Sequence, residues 1–216
     1  MSMDLLFELM HATSETVMMV LLSGALAFIF GLPLGVLLFV TRPNKLLPHP
    51  LLHRCLAMLI NITRSIPFII LMLAIIPLTR LLVGTSIGTN AAIVPLSLAA
   101  IPFFARMVEN SLNELSPGLI EAGQAMGASP YQLIRAILLA EARPGIINSL
   151  TITLINLVAY SAMAGAVGGG GLGDLAIRYG YQRFDMSVML ATIVILIAFV
   201  QGIQYVGDRW VKRFSH

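Results

Sequence analysis

Three long stretches of this chain carry no charge at all: Val17 to Val40, Pro144 to Gly173 and Met186 to Gly207. Each exceeds the roughly 20 residues with which a helix crosses about 30 Å of hydrocarbon. Two further stretches are less clean. Ser65 to Thr79 is uncharged but short, and extension through Leu81, Leu82 and Val83 makes it an adequate span if Arg64 or Arg80 snorkels to an interface. Ala91 to Val108 contains Pro95 and Pro102, which membrane helices tolerate when neighbours satisfy the freed carbonyls. The turn-rich run 84–90 separates these two. The pattern predicts five spans near 14–40, 57–83, 90–108, 144–167 and 187–208, all within a single domain over 1–216.

Composition agrees. Of the 216 residues, 58% are hydrophobic and 11% charged, with a mean hydropathy of +0.91. Soluble domains carry about 25% charged residues, so the expected class is an all-α, polytopic membrane protein. Basic residues set its orientation. Arg42, Lys45, Arg54, Arg135, Arg143, Arg209, Lys212 and Arg213 fall on one side, while the other holds only Arg178 and Arg183. The N-terminus offers Asp4, Glu8 and Glu15 and no Lys or Arg. The positive-inside rule therefore places the N-terminus outside and the C-terminus in the cytoplasm, with Trp210 as an inner-interface anchor. The net charge of +3 is that anchoring pattern rather than a nucleic-acid patch. The first apolar run is too long for a signal peptide and no basic residue precedes it, so an uncleaved span is expected. Cys55 is the one cysteine, which excludes an internal disulfide.

The polar segment 109–143 reads as structured. Ser116-Pro117 offers an N-cap followed by proline in the first turn, and Gly127 can end that helix in the left-handed region. Ser129 with Gln132 forms a capping box for a second helix, whose Leu133, Ile134, Ile137 and Leu138 share an apolar face. The expectation is helix, glycine turn, helix, on the cytoplasmic side. Taken alone, the segment could equally be an ordinary interfacial helix pair.

Glu121, Ala122, Gly127, Ile137 and Leu139 have the spacing of the EAA motif, and the chain resembles bacterial ABC-importer permeases. That family commonly has alanine where Gly123 stands and proline where Ala140 stands; the second departure leaves the helix exit unspecified. Arg64 to Phe68, Ala105 to Glu109, Tyr160 to Met163, Gly170 to Gly173 and Arg178 to Tyr181 are similar to the methionine-type branch. The resemblance covers nearly the whole chain. It implies a type I importer permease fold, a homodimer in the bacterial inner membrane, two cytoplasmic ATPase subunits, a periplasmic methionine-binding lipoprotein and methionine as substrate. It also implies that Glu121, Ala122, Gly123, Gly127, Ala128, Ile137 and Leu139 form the coupling segment that docks on the ATPase. Another amino acid or small nutrient is the alternative cargo, and a secondary transporter or channel the alternative class.

ATP hydrolysis is expected on a partner, since a P-loop needs Gly-Lys-Ser/Thr and the only lysines, Lys45 and Lys212, follow Asn44 and Val211. Gly168, Gly170 and Gly173 fit G-x-G-x-x-G, but they follow a membrane span and lack a preceding strand, so they read as a backbone turn. No cofactor is expected. His49, His53 and Cys55 lie close in sequence, yet Pro48 and Pro50 interrupt any helix aligning them, so no metal site is expected either. The twelve methionines read as apolar filler.

In span four, Ser149, Thr153, Asn156, Tyr160 and Met163 recur at helical spacing. They suit either a solvated pathway or interhelical hydrogen bonding. The resemblance favours the pathway, with Tyr160, Ser161 and Met163 at its gate. No carboxylate or lysine lies deep in a span, which argues against ion-coupled transport and leaves selectivity to an external binding protein. Arg178, Tyr179, Tyr181, Arg183 and Phe184 suit a docking patch for that protein or an aromatic interfacial belt.

Overall fold

The computed structural model describes residues 3–214, which are helical with short connections and contain no strand. Helix α1, Met3–Val40, is the longest element. Its 38 residues reach about 57 Å, well beyond the hydrocarbon thickness of about 30 Å. It thus begins eleven residues before the predicted span start at 14. The second predicted span is not one rod. It divides into α2 (Pro50–Ser65), α3 (Phe68–Ala74) and α4 (Ile76–Val83). Between α2 and α3 the chain bends by 101°. The cause is local: Pro67 holds Ile66 at extended backbone angles and supplies no N–H to the preceding turn.

Helix α5, Thr89–Asn113, keeps Pro95 and Pro102 inside it, both buried against neighbours. After the polar segment, α9 (Arg143–Gly165) and α11 (Met186–Phe214) complete the bundle. Four helices, α1, α5, α9 and α11, are long and apolar enough to cross a membrane, which makes five spans when the bent α2–α3 pair is counted as one.

Helix α5 is the axis of the packing. Its Leu96, Phe104, Val108 and Leu112 are buried with Met19, Val20 and Phe39 of α1 and Leu157 of α9. The approach of α1 depends on small residues. A Cβ on Gly31 would stand 2.9 Å from the Ile101 carbonyl oxygen, and one on Gly35 2.5 Å from that of Ala105. The backbones touch, as membrane helices do where small residues line the contact.

Polar contacts gather at the two ends of the bundle, one marked by the turn at Gly127 and the other by the turn at Gly170. Toward the Gly127 end, the Arg106 guanidinium donates to the Glu109 carboxylate and, at 2.8 Å, to Asn61 Oδ1 of α2. Asn113 Nδ2 donates to the Glu109 carbonyl at 2.9 Å, and Arg42 donates to Asn113 Oδ1 at 3.1 Å. This chain of bonds attaches both α2 and the end of α1 to α5.

Gly35→Val should drive a branched side chain into the Ala105 backbone and destabilise the fold by about 1–3 kcal/mol. Thermal unfolding of the detergent-solubilised protein would read this as a lowered midpoint. Gly202→Ala, at a site with open space around it, is the control that should leave the midpoint unchanged or raised.

Candidate coupling and translocation site

The segment between α5 and α9 forms a folded wedge. Helix α6 spans Pro117–Ala125. Ser116 occupies its cap position, but the hydroxyl makes no capping bond, so the start rests on Pro117 in the first turn. The end is a Schellman arrangement: Ala128 N–H donates to the Gly123 carbonyl at 3.1 Å and Gly127 N–H to that of Gln124 at 2.9 Å. It requires the left-handed φ of 78° at Gly127. The expected capping box is present. Ser129 N–H donates to Gln132 Oε1 at 2.8 Å, and Gln132 N–H to Ser129 Oγ at 3.4 Å. It opens α7 (Pro130–Gln132), which runs through a π-helical turn at Leu133–Leu138 into α8 (Leu139–Glu141).

Burial divides the coupling motif. Glu121 and Ala122 are exposed, while Gly123 is buried between the limbs. A Cβ there would meet Leu133, and would stand 2.9 Å from Ile137 Cδ1. Gly127 makes the turn, and Ala128, Ile137 and Leu139 are half-buried in the wedge. The departure from alanine at Gly123 thus has a steric reason. The exit that a proline at Ala140 would make occurs instead at Ala142, with Pro144 in the first turn of α9. Two large side chains flank the exposed tip: Met126 is 78% and Tyr131 66% exposed. Motif spacing points to neither. Their signal in the sequence is that each is a large apolar-bodied residue beside a turn.

The polar stripe of α9 also divides. Ser149, Thr153 and Ser161 are buried within the protomer. Ser149 Oγ lies 3.2 Å from Ser111 Oγ of α5, Thr153 donates to the Ser149 carbonyl at 2.7 Å, and Ser161 donates to that of Val158 at 2.8 Å. These three hydroxyls are engaged inside the protomer: the Ser149–Ser111 contact joins two helices, while Thr153 and Ser161 bond carbonyls of α9 itself. Asn156 is half-buried, and Tyr160 stacks on Phe68 of α3 at 4.7 Å between centroids with 6° between planes. The open face carries Asn148, Ala159 and Met163.

At the Gly170 end, α10 (Gly171–Leu175) starts on ligands from α1. Glu15 accepts from Gly171 N–H at 2.8 Å and from the Thr89 hydroxyl at 3.0 Å, while Leu172 N–H donates to Thr16 Oγ1 at 2.9 Å. Gly168, Gly170 and Gly171 all have left-handed φ, so the glycine run is a turn fixed by a carboxylate. A second π-helical turn, Ala176–Tyr181, comes next. The Tyr179 hydroxyl donates to Glu8 at 2.8 Å, and this bond raises the Tyr179 pKa. Arg178 pairs with Asp174 at 2.7 Å, and that bond raises its pKa further. The Arg183 guanidinium sits 4.3 Å from the Tyr179 ring centre. Arg178, Tyr179 and Arg183 therefore hold one another and α1. Tyr181 and Phe184 remain displayed, with Phe184 at a φ of 58°. The two histidines also serve structure: His49 accepts from Leu52 N–H at the start of α2, and His53 Nδ1 lies 3.0 Å from the Leu38 carbonyl.

A family model described as "binding-protein-dependent transport system inner membrane component" matches residues 28–215. The chain belongs to that family. It is therefore an integral inner-membrane component of a bacterial transport system. Among curated members, it is 56% identical over 208 residues to the probable D-methionine transport system permease protein MetI of Vibrio cholerae, covering 96% of this chain and 92% of that one. It is 52% identical over 216 residues to the D-methionine transport system permease protein MetI of Yersinia pestis, covering all of both chains. A solved chain described under inward-facing conformations of the MetNI methionine ABC transporter superposes with a TM-score of 0.98, at 51% identity and full coverage of both. An amino acid ABC transporter with histidines superposes at 0.78 and 16% identity over 99% of this chain and 100% of that one, which shows a shared fold.

Glu15→Ala should strip the acceptor from Gly171 N–H and the Thr89 hydroxyl, costing about 1–3 kcal/mol. Hydrogen exchange should then show the Gly171 amide losing protection while amides in the middle of α5 keep theirs.

Proposed function

We propose that this chain is the permease subunit of an ATP-driven importer that carries methionine across the inner membrane by alternating access. It works as a homodimer with two cytoplasmic ATPase subunits, and a periplasmic methionine-binding lipoprotein delivers the substrate. The N-terminus lies outside, and the C-terminus and the Gly127 wedge lie in the cytoplasm. Hydrolysis takes place on the ATPase, since this sequence has no Gly-Lys-Ser/Thr loop. The observation that carries the reading is the likeness over the full chain, at 51% identity and a TM-score of 0.98, to a chain of the methionine ABC transporter. That neighbour's inward-facing description supports the same state for the present arrangement.

The wedge supplies the mechanics. Two helix starts, a Schellman end and the Gly123 contact leave few soft joints, so a push at the tip moves α5 and α9 together. Glu121, Ala122, Met126 and Tyr131 form the surface that receives it; Gly123, Gly127, Ala128, Ile137 and Leu139 keep it rigid. At the far end, Tyr181 and Phe184 are the side chains available to a docking protein, on a base held by Arg178, Tyr179 and Arg183. The pathway runs along the open face of α9, past Asn156, Tyr160 and Met163, with Ser149, Thr153 and Ser161 behind it as packing support.

Reconstituted with its ATPase in vesicles, the permease should take up methionine only with ATP. A doubly charged tip, Met126→Asp with Tyr131→Asp, should abolish ATPase co-purification and lower uptake at least about tenfold while the unfolding midpoint holds. Uptake that persists without ATP on an ion gradient would sink the ABC reading; full coupling in the charged variant would sink the tip assignment.

Met163→Ala should leave assembly intact and loosen the gate, seen as ATP hydrolysis rising relative to methionine moved. Unchanged uptake and coupling ratio would remove Met163 from the gate.

A further inference from the structure

A groove of about 540 Å³ lies between α1, α9 and α11, lined by Leu21, Leu150, Leu154, Phe199, Ile203 and Trp210 among others. Apart from the Trp210 indole, its one polar side chain is Thr151, whose hydroxyl already donates to the Ile147 carbonyl at 2.9 Å. Gly202 opens the groove further, with no atom near the position its Cβ would occupy. Along α11 the lining runs from Ala198 to Trp210. Those twelve steps are about 18 Å, close to the roughly 15 Å of one leaflet's hydrocarbon. The groove is therefore as long as an acyl chain is deep, and it offers a water-soluble ligand almost nothing to bond.

Its charged end adds a second, independent constraint. Arg143 stands four residues before Ile147 on α9, and Arg213 three after Trp210 on α11, so each continues the helix face that lines the groove. The two helices run in opposite directions and cross where Gly207 lies against Thr151. From that crossing Arg213 is about 9 Å along α11 and Arg143 about 12 Å along α9, toward the same end of the bundle. Both are exposed, and neither belongs to an ion pair among the described residues. The neighbouring Arg209 is occupied with the Tyr205 hydroxyl at 3.1 Å.

We propose that this groove holds an acyl chain of an anionic phospholipid whose headgroup phosphate sits between Arg143 and Arg213, with Trp210 at the level of the glycerol. Juxtamembrane arginines attract anionic lipid, and the apolar slot beneath them converts that attraction into a site of fixed depth. The proposal goes beyond the transport reading and depends only on membrane placement.

Native mass spectrometry of the full-length chain in mild detergent, titrated with phosphatidylglycerol or phosphatidylethanolamine, tests it. The expected result is saturable retention of phosphatidylglycerol over phosphatidylethanolamine. Arg143→Gln and Arg213→Gln should each weaken retention about fivefold. Gly202→Leu, which fills the slot without touching charge, should abolish it while the unfolding midpoint shows the chain still folded. Equal retention of both lipids, or variants that bind like the wild type, would overturn the proposal. So would displacement by inorganic phosphate alone, which would mean a free-anion site. Cross-linking of Gly202→Cys to a second copy or another protein would also overturn it, since the groove would then be covered.

Discussion

The contact on which the rest depends is the backbone-to-backbone approach of α1 and α5 at Gly31 and Gly35. Between helices in lipid no hydrophobic gain favours association, so close van der Waals fit and a few hydrogen bonds must supply it. Once α1 is seated on α5, its excess length places polar groups at both ends. Glu8, Glu15 and Thr16 reach the segment after α9, and Arg42 reaches Asn113. One close contact thus organises two distant polar sites. The bundle is a clamp closed in the middle, with its jaws at either end.

Regular helix is suspended at a few places, and these coincide with the surfaces on which a transporter must act. The 101° bend at Pro67 lets Phe68 stack on Tyr160 beside the open face of α9. One π-helical turn lies in the second limb of the wedge, the other under Tyr179 and Tyr181. Such turns insert an extra residue and rotate the next stretch of helix to a new face, and they occur often at functional sites. Both stand next to connections that are otherwise rigidly capped, so the irregularity is confined and directional.

Much of this was legible in the sequence because it is local. Long charge-free runs marked α1, α9 and α11, and the Gly127 turn and Ser129 box rest on four or five residues each. The break of the second span was not. A proline in a membrane helix is compatible with a kink or a full stop, and the sequence does not say which; the extended backbone at Ile66 makes it a full stop. The length of α1 is hidden because Glu8 looks like a loop residue until its partner at Tyr179 is known. The stripe on α9 divides between buried and open positions for a geometric reason. Spacings of four and three average 3.5, and a straight helix drifts about 20° per heptad against that repeat. Over two heptads Ser149 and Met163 separate by about 40°, enough to bury one and expose the other.

The clasp joining Arg106, Glu109 and Asn61 has a consequence for how this sequence can change. Glu109 is nearly enclosed, so removing Arg106 alone strands a buried negative charge, and removing Glu109 alone strands a cation against Asn61. Either single loss is severe, whereas exchanging the pair together for well-packed apolar residues can be close to neutral. Drift at these two positions must therefore cross a valley of unstable intermediates or move in one step. The attachment of the bent span to α5 is held less by its strength than by the absence of a gradual way out.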